Sequence, residues 1–131
     1  MNPASVDIKD LLEAESALAL SFATNLFIGM SPPEPDSCVT IFDTPGFGPD
    51  LELGGSGEYY YPSIQIQVRD TSYLDAWQLA DDIRQVLHGR GPIVLNGTTY
   101  TVIRSTDEPS LLLWDEKSRA TFSMNFDMQR R

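Results

Sequence analysis

Residues 61–88, YPSIQIQVRDTSYLDAWQLADDIRQVLH, decide the fold. In the first half Ile64, Ile66 and Val68 alternate with Ser63, Gln65, Gln67 and Arg69. A period of two with β-branched residues on one side specifies a half-buried strand. Pro62 suits the strand's start, where a missing N–H costs little. Asp70 and Thr71 break the alternation. Ser72 then offers a capping hydroxyl, with Asp75 three residues on, a weak capping box. The helix that follows carries an apolar stripe of Tyr73, Trp77, Ala80, Ile83 and Leu87, widened by Leu79 and Val86. Gly89 ends it, and Arg84, His88 and Arg90 put positive charge near the negative end of its dipole. A tight turn folds such a helix back across its own sheet. Ile64, Ile66 and Val68 are therefore expected to meet Trp77 and Ile83 at the centre of the core.

Upstream, Ser5 is placed to cap a first helix, with Asp7 in its first turn. Ile8, Leu11, Leu12, Leu18, Ala19 and Phe22 recur at helical spacing, which predicts an end near Phe22 or Ala23. Leu26–Met30 reads as a short strand, and residues 31–37, with three prolines, as a stiff connector. Cys38–Phe42 is a further strand. Residues 43–58 hold five of the nine glycines, two prolines and four acids, and read as a long, protruding, flexible hairpin loop.

Downstream, Asn96-Gly97 between apolar runs is a strong hairpin signal. It pairs Leu95 with Thr98 and Ile93 with Tyr100, and sets Ile93, Leu95, Tyr100 and Val102 on one face. Leu111–Trp114 is a strand, and Ala120, Phe122, Met124, Phe126 and Met128 alternate along the last one. A short loop between them sets Leu111 opposite Phe122 and Leu113 opposite Ala120. The order α-β-β-β-α-β-β-β-β predicts an α+β fold. One largely antiparallel or mixed sheet carries both helices on one face, within a single domain, 1–131.

Composition narrows function. The net charge is −10, with nine basic and nineteen acidic side chains. From Asp10 to Glu58 there are nine acids and neither Lys nor Arg; from Tyr59 onward acids and bases nearly balance. Such a chain is poorly suited to hold nucleic acid, whose affinity comes from neutralised phosphates. No basic segment followed by an apolar run opens the chain, so no secretory signal is expected. The most apolar stretch, residues 17–30, is too short to span a bilayer. One histidine, His88, and one cysteine, Cys38, exclude His- or Cys-rich zinc sites. Cys38 reads as a small buried apolar residue, and His88 as a favourable charge at a helix end.

Residues 39–46, VTIFDTPG, look like the aspartate-bearing switch of GTPases. That chemistry also needs a glycine-rich loop ending in Gly-Lys-Ser/Thr, and neither Lys9 nor Lys117 follows a glycine. The plain reading is a strand ending in a tight Pro-Gly turn. Asp81 and Asp82 diverge by about 100° on their helix and make no converging dyad. No catalytic constellation, cofactor or metal site is expected.

The central stretch resembles a known family. Pro62, Gln65, Gln67 and Val68-Arg69-Asp70, followed by Tyr73, Ala76, Leu79-Ala80, Ile83 and Leu87, are similar to the minor capsid and tail terminator proteins of long-tailed bacteriophages. The preceding strand with its glycine-rich loop and the later Asn-Gly hairpin keep the same order. The resemblance implies a virion protein without catalytic residues or cofactor. Its subunits would form a ring, usually of six, that stops tail-tube growth and joins tail to head. It implies as partners other copies of the chain, the major tail tube protein and a head-completion or connector protein. DNA would pass without specific binding, no membrane would be involved, and assembly would take place in the host cytoplasm. Asp43, Asp50, Glu52 and Glu58 are the candidate lumen or partner loop, and Gln65, Gln67 and Arg69 the candidate subunit interface. Another neck or head-completion protein is the nearest alternative. A soluble binding module or small enzyme using residues 43–58 is a more distant one.

Overall fold

The central strand forms where its alternation requires, as Tyr61–Asp70. The computed structural model describes residues 1–50 and 58–131. In chain order it has α1 (Ala4–Ala14), a 3₁₀ turn (Ser16–Leu18), β1 (Leu26–Ile28), β2 (Cys38–Phe47), β3 (Tyr61–Asp70) and α2 (Tyr73–Leu87). Then come β4 (Ile93–Leu95), β5 (Thr98–Ser105), β6 (Ser110–Trp114) and β7 (Ala120–Arg130). The seven strands make one mixed sheet ordered β1-β2-β3-β7-β5-β4, with β6 also paired to β7. The β1–β2 pair is parallel and the others antiparallel. The class is the expected α+β.

Ile64, Ile66 and Val68 of β3 and Phe122, Met124 and Phe126 of β7 lie side by side in register. They form one apolar cluster with Ile8, Leu11 and Leu12 of α1 and the buried side of α2. That side is Ala76, Ala80, Ile83 and Leu87, not the stripe led by aromatics. Trp77 lies one residue, about 100°, further round the helix and is 38% exposed. The two alanines let the helix axis approach the sheet, and no room remains beneath for an indole. Tyr73 also sits at the rim, edge-on to Phe122 at 4.9 Å and stacked near Trp114 at 6.2 Å. Ser72 caps α2 as expected, accepting from the Asp75 amide at 3.3 Å.

α1 ends at Ala14, well before Phe22. Continuing it would carry Glu15 onto the face that buries Ile8, Leu11 and Leu12. The chain instead turns extended at Glu15, whose carboxylate reaches Arg90 at 3.7 Å. The hairpin pairs Leu95 with Thr98 and Ile93 with Tyr100, as the Asn-Gly turn dictates. A register shift between Tyr100 and Val102 then turns Val102 outward and puts Ile103 in the core. A second shift, between Leu111 and Leu113, keeps Leu111 opposite Phe122. It moves Leu113 to Thr121 and gives Ala120 to Trp114. His88 Nδ1 accepts from the Ser105 amide at 2.9 Å, which ties the end of α2 to the end of β5.

Asp7 is fully buried. Its carboxylate accepts from Tyr100 Oη and from Asn96 Nδ2, and lies 3.7 Å from Arg130 Nη1. Arg130 also donates to Tyr100 Oη and to the Asn2 carbonyl, both at 2.9 Å. Burial and the bond to Asp7 push the Tyr100 phenol well above its usual range.

Ile66→Ala should cost about 2–5 kcal/mol, as a cavity in a packed core does. Trp77→Ala should cost clearly less. Urea unfolding of the two variants measures this, and an equal or larger loss for Trp77 would contradict the Ala76–Leu87 stripe.

Candidate functional site

The side of the sheet away from the helices is polar. On it, Ser63 donates to Asp127 at 2.6 Å and Gln67 Nε2 donates to Gln65 Oε1 at 2.9 Å. Both glutamines are half-buried and remain on the face where the alternation puts them. Arg69 does not remain available with them. Its guanidinium donates to the carbonyls of Pro35 and Asp36 and to Ser31 Oγ, leaving the residue 7% exposed. Arg119 fastens the same proline connector, through the Pro33 carbonyl and Asp36, and is itself held by Asp115 at 2.7 Å. Lys117 adds a 2.9 Å bond to Glu34. The connector is thus pinned to the ends of β3 and β7. Cys38 lies at its exit, and burial raises the thiol above its usual value, as expected of an inert, packed cysteine.

The four loop acids are not a set. β2 runs on to Phe47, so Asp43 belongs to a strand, opposite Ile64. It takes the helix-facing side begun by Val39 and Ile41. There its carboxylate accepts from the Ser5 amide at 3.0 Å and from Ser5 Oγ at 2.6 Å. Ser5 therefore lies inside α1 and caps nothing; a carboxylate from another strand satisfies the helix N-terminus. The Pro45-Gly46 pair is an irregularity within β2, not its end. A Cβ on Gly46 would lie 2.0 Å from the Tyr61 carbonyl oxygen, which accounts for the glycine. The switch-like motif is a helix cap joined to a close strand approach. The alternation of Val39, Ile41 and Asp43 was the signal that placed Asp43 on the helix side. Asp50 accepts from Tyr61 Oη at 2.6 Å, and Glu58 from Tyr60 Oη at 3.5 Å. Glu52 lies outside the described residues.

Two apolar surfaces were not foreseen. At the Tyr61 end of the sheet, Phe47, Tyr61, Val102 and Met128 line a groove of about 260 Å³, with Arg104 and Asp127 among its polar walls. At the Asp70 end, Leu74 and Trp77 of α2 and every residue of β6 from Leu111 to Trp114 are exposed. The unbroken run Leu111-Leu112-Leu113-Trp114 signalled this: a strand with one buried side alternates, and this one does not. Among the described residues, no three His, Cys, Asp or Glu side chains converge on a point that would hold a metal.

A family model for the bacteriophage tail terminator protein matches residues 6–131. A chain from the virion of a native gene transfer agent particle superposes with a TM-score of 0.70 at 15% identity. The match covers 96% of this chain and 92% of that one. A second solved structure gives a TM-score of 0.51 at 16% identity, over 92% and 95% of the two chains. At such identities the likeness is one of fold. No curated protein is significantly similar in sequence.

Asp43→Ala should destabilise the chain by about 0.5–2 kcal/mol, the usual cost of a lost helix cap, in thermal or urea unfolding; no loss would contradict the capping role. The connector clamp should be acid-sensitive. The bond from Lys117 holds Glu34 below its ordinary value of 4.5. Burial pushes Asp115 up, but bonds from Arg119 and Lys117 outweigh it and leave Asp115 below 3.8. Both folded values are depressed, so the stabilisation is complete above these ordinary values and is lost as pH falls through the lowered ones. Relative to intrinsic rates, protection of the Ser31, Glu34, Asp36 and Ser37 amides should be constant from pH 7 to 5 and fall below about pH 4. A fall already complete at pH 5 would contradict the clamp.

The chain belongs to the bacteriophage tail terminator family and is a structural component of the virion tail.

Proposed function

We propose that the chain is the subunit of a ring, hexameric as in the resemblance noted above, at the head-proximal end of the tail tube. The ring ends tube polymerisation and forms the joint to the head. It touches further copies of itself, the major tube protein below and a head-completion or connector protein above. The observation that carries this reading is the family match over residues 6–131, which spans helices and sheet together. The polar face holding Gln65 and Gln67 is a contact surface in this ring. Arg69 takes no part in it, because its donors hold the connector. Asp50 and Glu58 turn toward the DNA path, where like charge lets DNA slide without sticking; Glu52 lies between them in sequence. Asp43 leaves that group, since its carboxylate holds α1.

Removing the chain from an otherwise complete phage should yield tail tubes of uncontrolled length that do not join heads. Tubes of normal length that still fail to join heads would instead support a head-completion role. Asp50→Lys combined with Glu58→Lys should leave the fold intact and create DNA binding that weakens steeply with added salt. Normal infectivity together with no DNA affinity at low salt would remove these two acids from the DNA path.

A further inference from the structure

The groove and the apolar face of α2 and β6 lie at opposite ends of β7. β6 pairs with residues 120–123 of that strand, and the groove is lined by residues 127–129. Six residues of strand from Phe122 to Met128 put them roughly 20 Å apart. We infer that the two surfaces are the halves of one interface: the α2–β6 face of one subunit seats on the groove of the next copy. This rests on the ring reading and names its contact.

The α2–β6 face is large for a monomer. Leu74, Trp77, Leu111, Leu112, Leu113 and Trp114 are each 38–73% exposed. Leu111 and Trp114, opposite Phe122 and Ala120, share the helix side with Leu74 and Trp77, whereas Leu113, opposite Thr121, takes the other side, so the apolar surface is a ridge that wraps the edge of β6. Tyr73 joins the helix residues to the strand through its stack on Trp114. With each aromatic offering 150–250 Å² and the leucines added, the two sides of the ridge together are on the order of 600–800 Å². That exceeds the few hundred Å² an apolar patch on a monomer usually reaches and matches the roughly 800 Å² per partner of a stable interface. β6 also presents an outer backbone edge with no proline and no charge from Leu111 to Trp114, which ordinary edge strands avoid. An acceptor for the tip of this ridge is on the same molecule. The groove is concave and its walls are mostly apolar, and Phe47 at its margin is 78% exposed.

The geometry favours a second copy in the next position over a self-paired dimer. An isologous contact joins one patch to itself, whereas two unlike patches at opposite ends join head to tail and can close into a ring. The remaining exposed apolar residues, such as Met30 and Val94, lie apart on β-connections and the far hairpin.

The test uses full-length chains, with folding checked by circular dichroism. Variant A carries Leu74→Glu and Leu112→Glu; variant B carries Phe47→Glu. All three sites are exposed, so both should fold. Sedimentation velocity and native mass spectrometry should show each variant losing self-association by roughly thirtyfold or more relative to the parent, the effect of removing interface hot spots. An equimolar mixture of A and B should form a heterodimer that grows no further, because it contains one intact knob and one intact groove. A parent chain that multimerises while A and B do so unchanged overturns this inference and leaves the ring reading standing. Loss of association in A but not in B shows a self-paired patch and also overturns it. A parent chain that is monomeric at high concentration and in isolated tails overturns the ring reading, and this inference with it.

Discussion

The buried carboxylate of Asp7 is the constraint on which the rest of the structure depends. A carboxylate taken out of water costs several kcal/mol unless its oxygens are occupied. Here Tyr100 and Asn96 occupy them and Arg130 stands close by. Those partners come from β5, the Asn-Gly turn and the end of β7, while Asp7 sits in the first turn of α1. One buried carboxyl group therefore fixes the N-terminal helix, the hairpin and the C-terminal strand relative to one another. Apolar packing alone would leave the helix free to slide, since leucines tolerate many registers. The Asn96 turn residue carries a double duty. Its φ of +50° suits the tight turn, and its amide reaches both Asp7 and Asp10.

β7 organises the sheet in the same way that Asp7 organises the helix. It pairs with β3 along one edge and with β5 and β6 in succession along the other. Because β5 takes residues 126–130 and β6 residues 120–123, the sheet splits at its middle. The split leaves β6 as a short extra edge at one end, and it leaves the groove at the other. The asymmetry of the molecule, apolar ridge at one end and apolar hollow at the other, thus follows from how three neighbours share a single strand.

Much of this was legible in the sequence, and the misses share a cause. Periodicity fixed β3, β7 and the Asn-Gly register because each has one buried side, so a shift by one residue would turn the core outward. Local reading failed where a distant partner decided the outcome. Helical spacing puts Trp77 on the apolar stripe, but the fold buries the neighbouring Ala76 and Ala80 instead. Asp43 was assigned to a loop because Pro and Gly follow it, but Ser5, thirty-eight residues earlier, draws it to the helix. The two register shifts, near Val102 and Leu112, left no mark in the alternation that preceded them. Alternation puts Arg69 on the polar face, and only the folded connector shows that its guanidinium is held there by three hydrogen bonds.

The disposition of the cations bears on the proposed DNA path more than the net charge does. The chain has nine basic residues against nineteen acids. Arg69 and Arg119 are spent on the connector, Arg130 on Tyr100 and Asn2 beside Asp7, and Arg84 on Asp81. A guanidinium whose donors face carbonyls and carboxylates inside the fold cannot present them to a phosphate. The surface that meets solvent is therefore more one-signed than a charge of −10 alone conveys. In the proposed ring, repulsion between neighbouring subunits would rise with such a surface, so assembly would have to draw on contacts that salt and charge do not weaken. Apolar contacts meet that requirement. In the proposed ring, an acidic exterior and a large exposed apolar face would be two sides of one physical balance: the first would make association harder, and the second would supply what overcomes it.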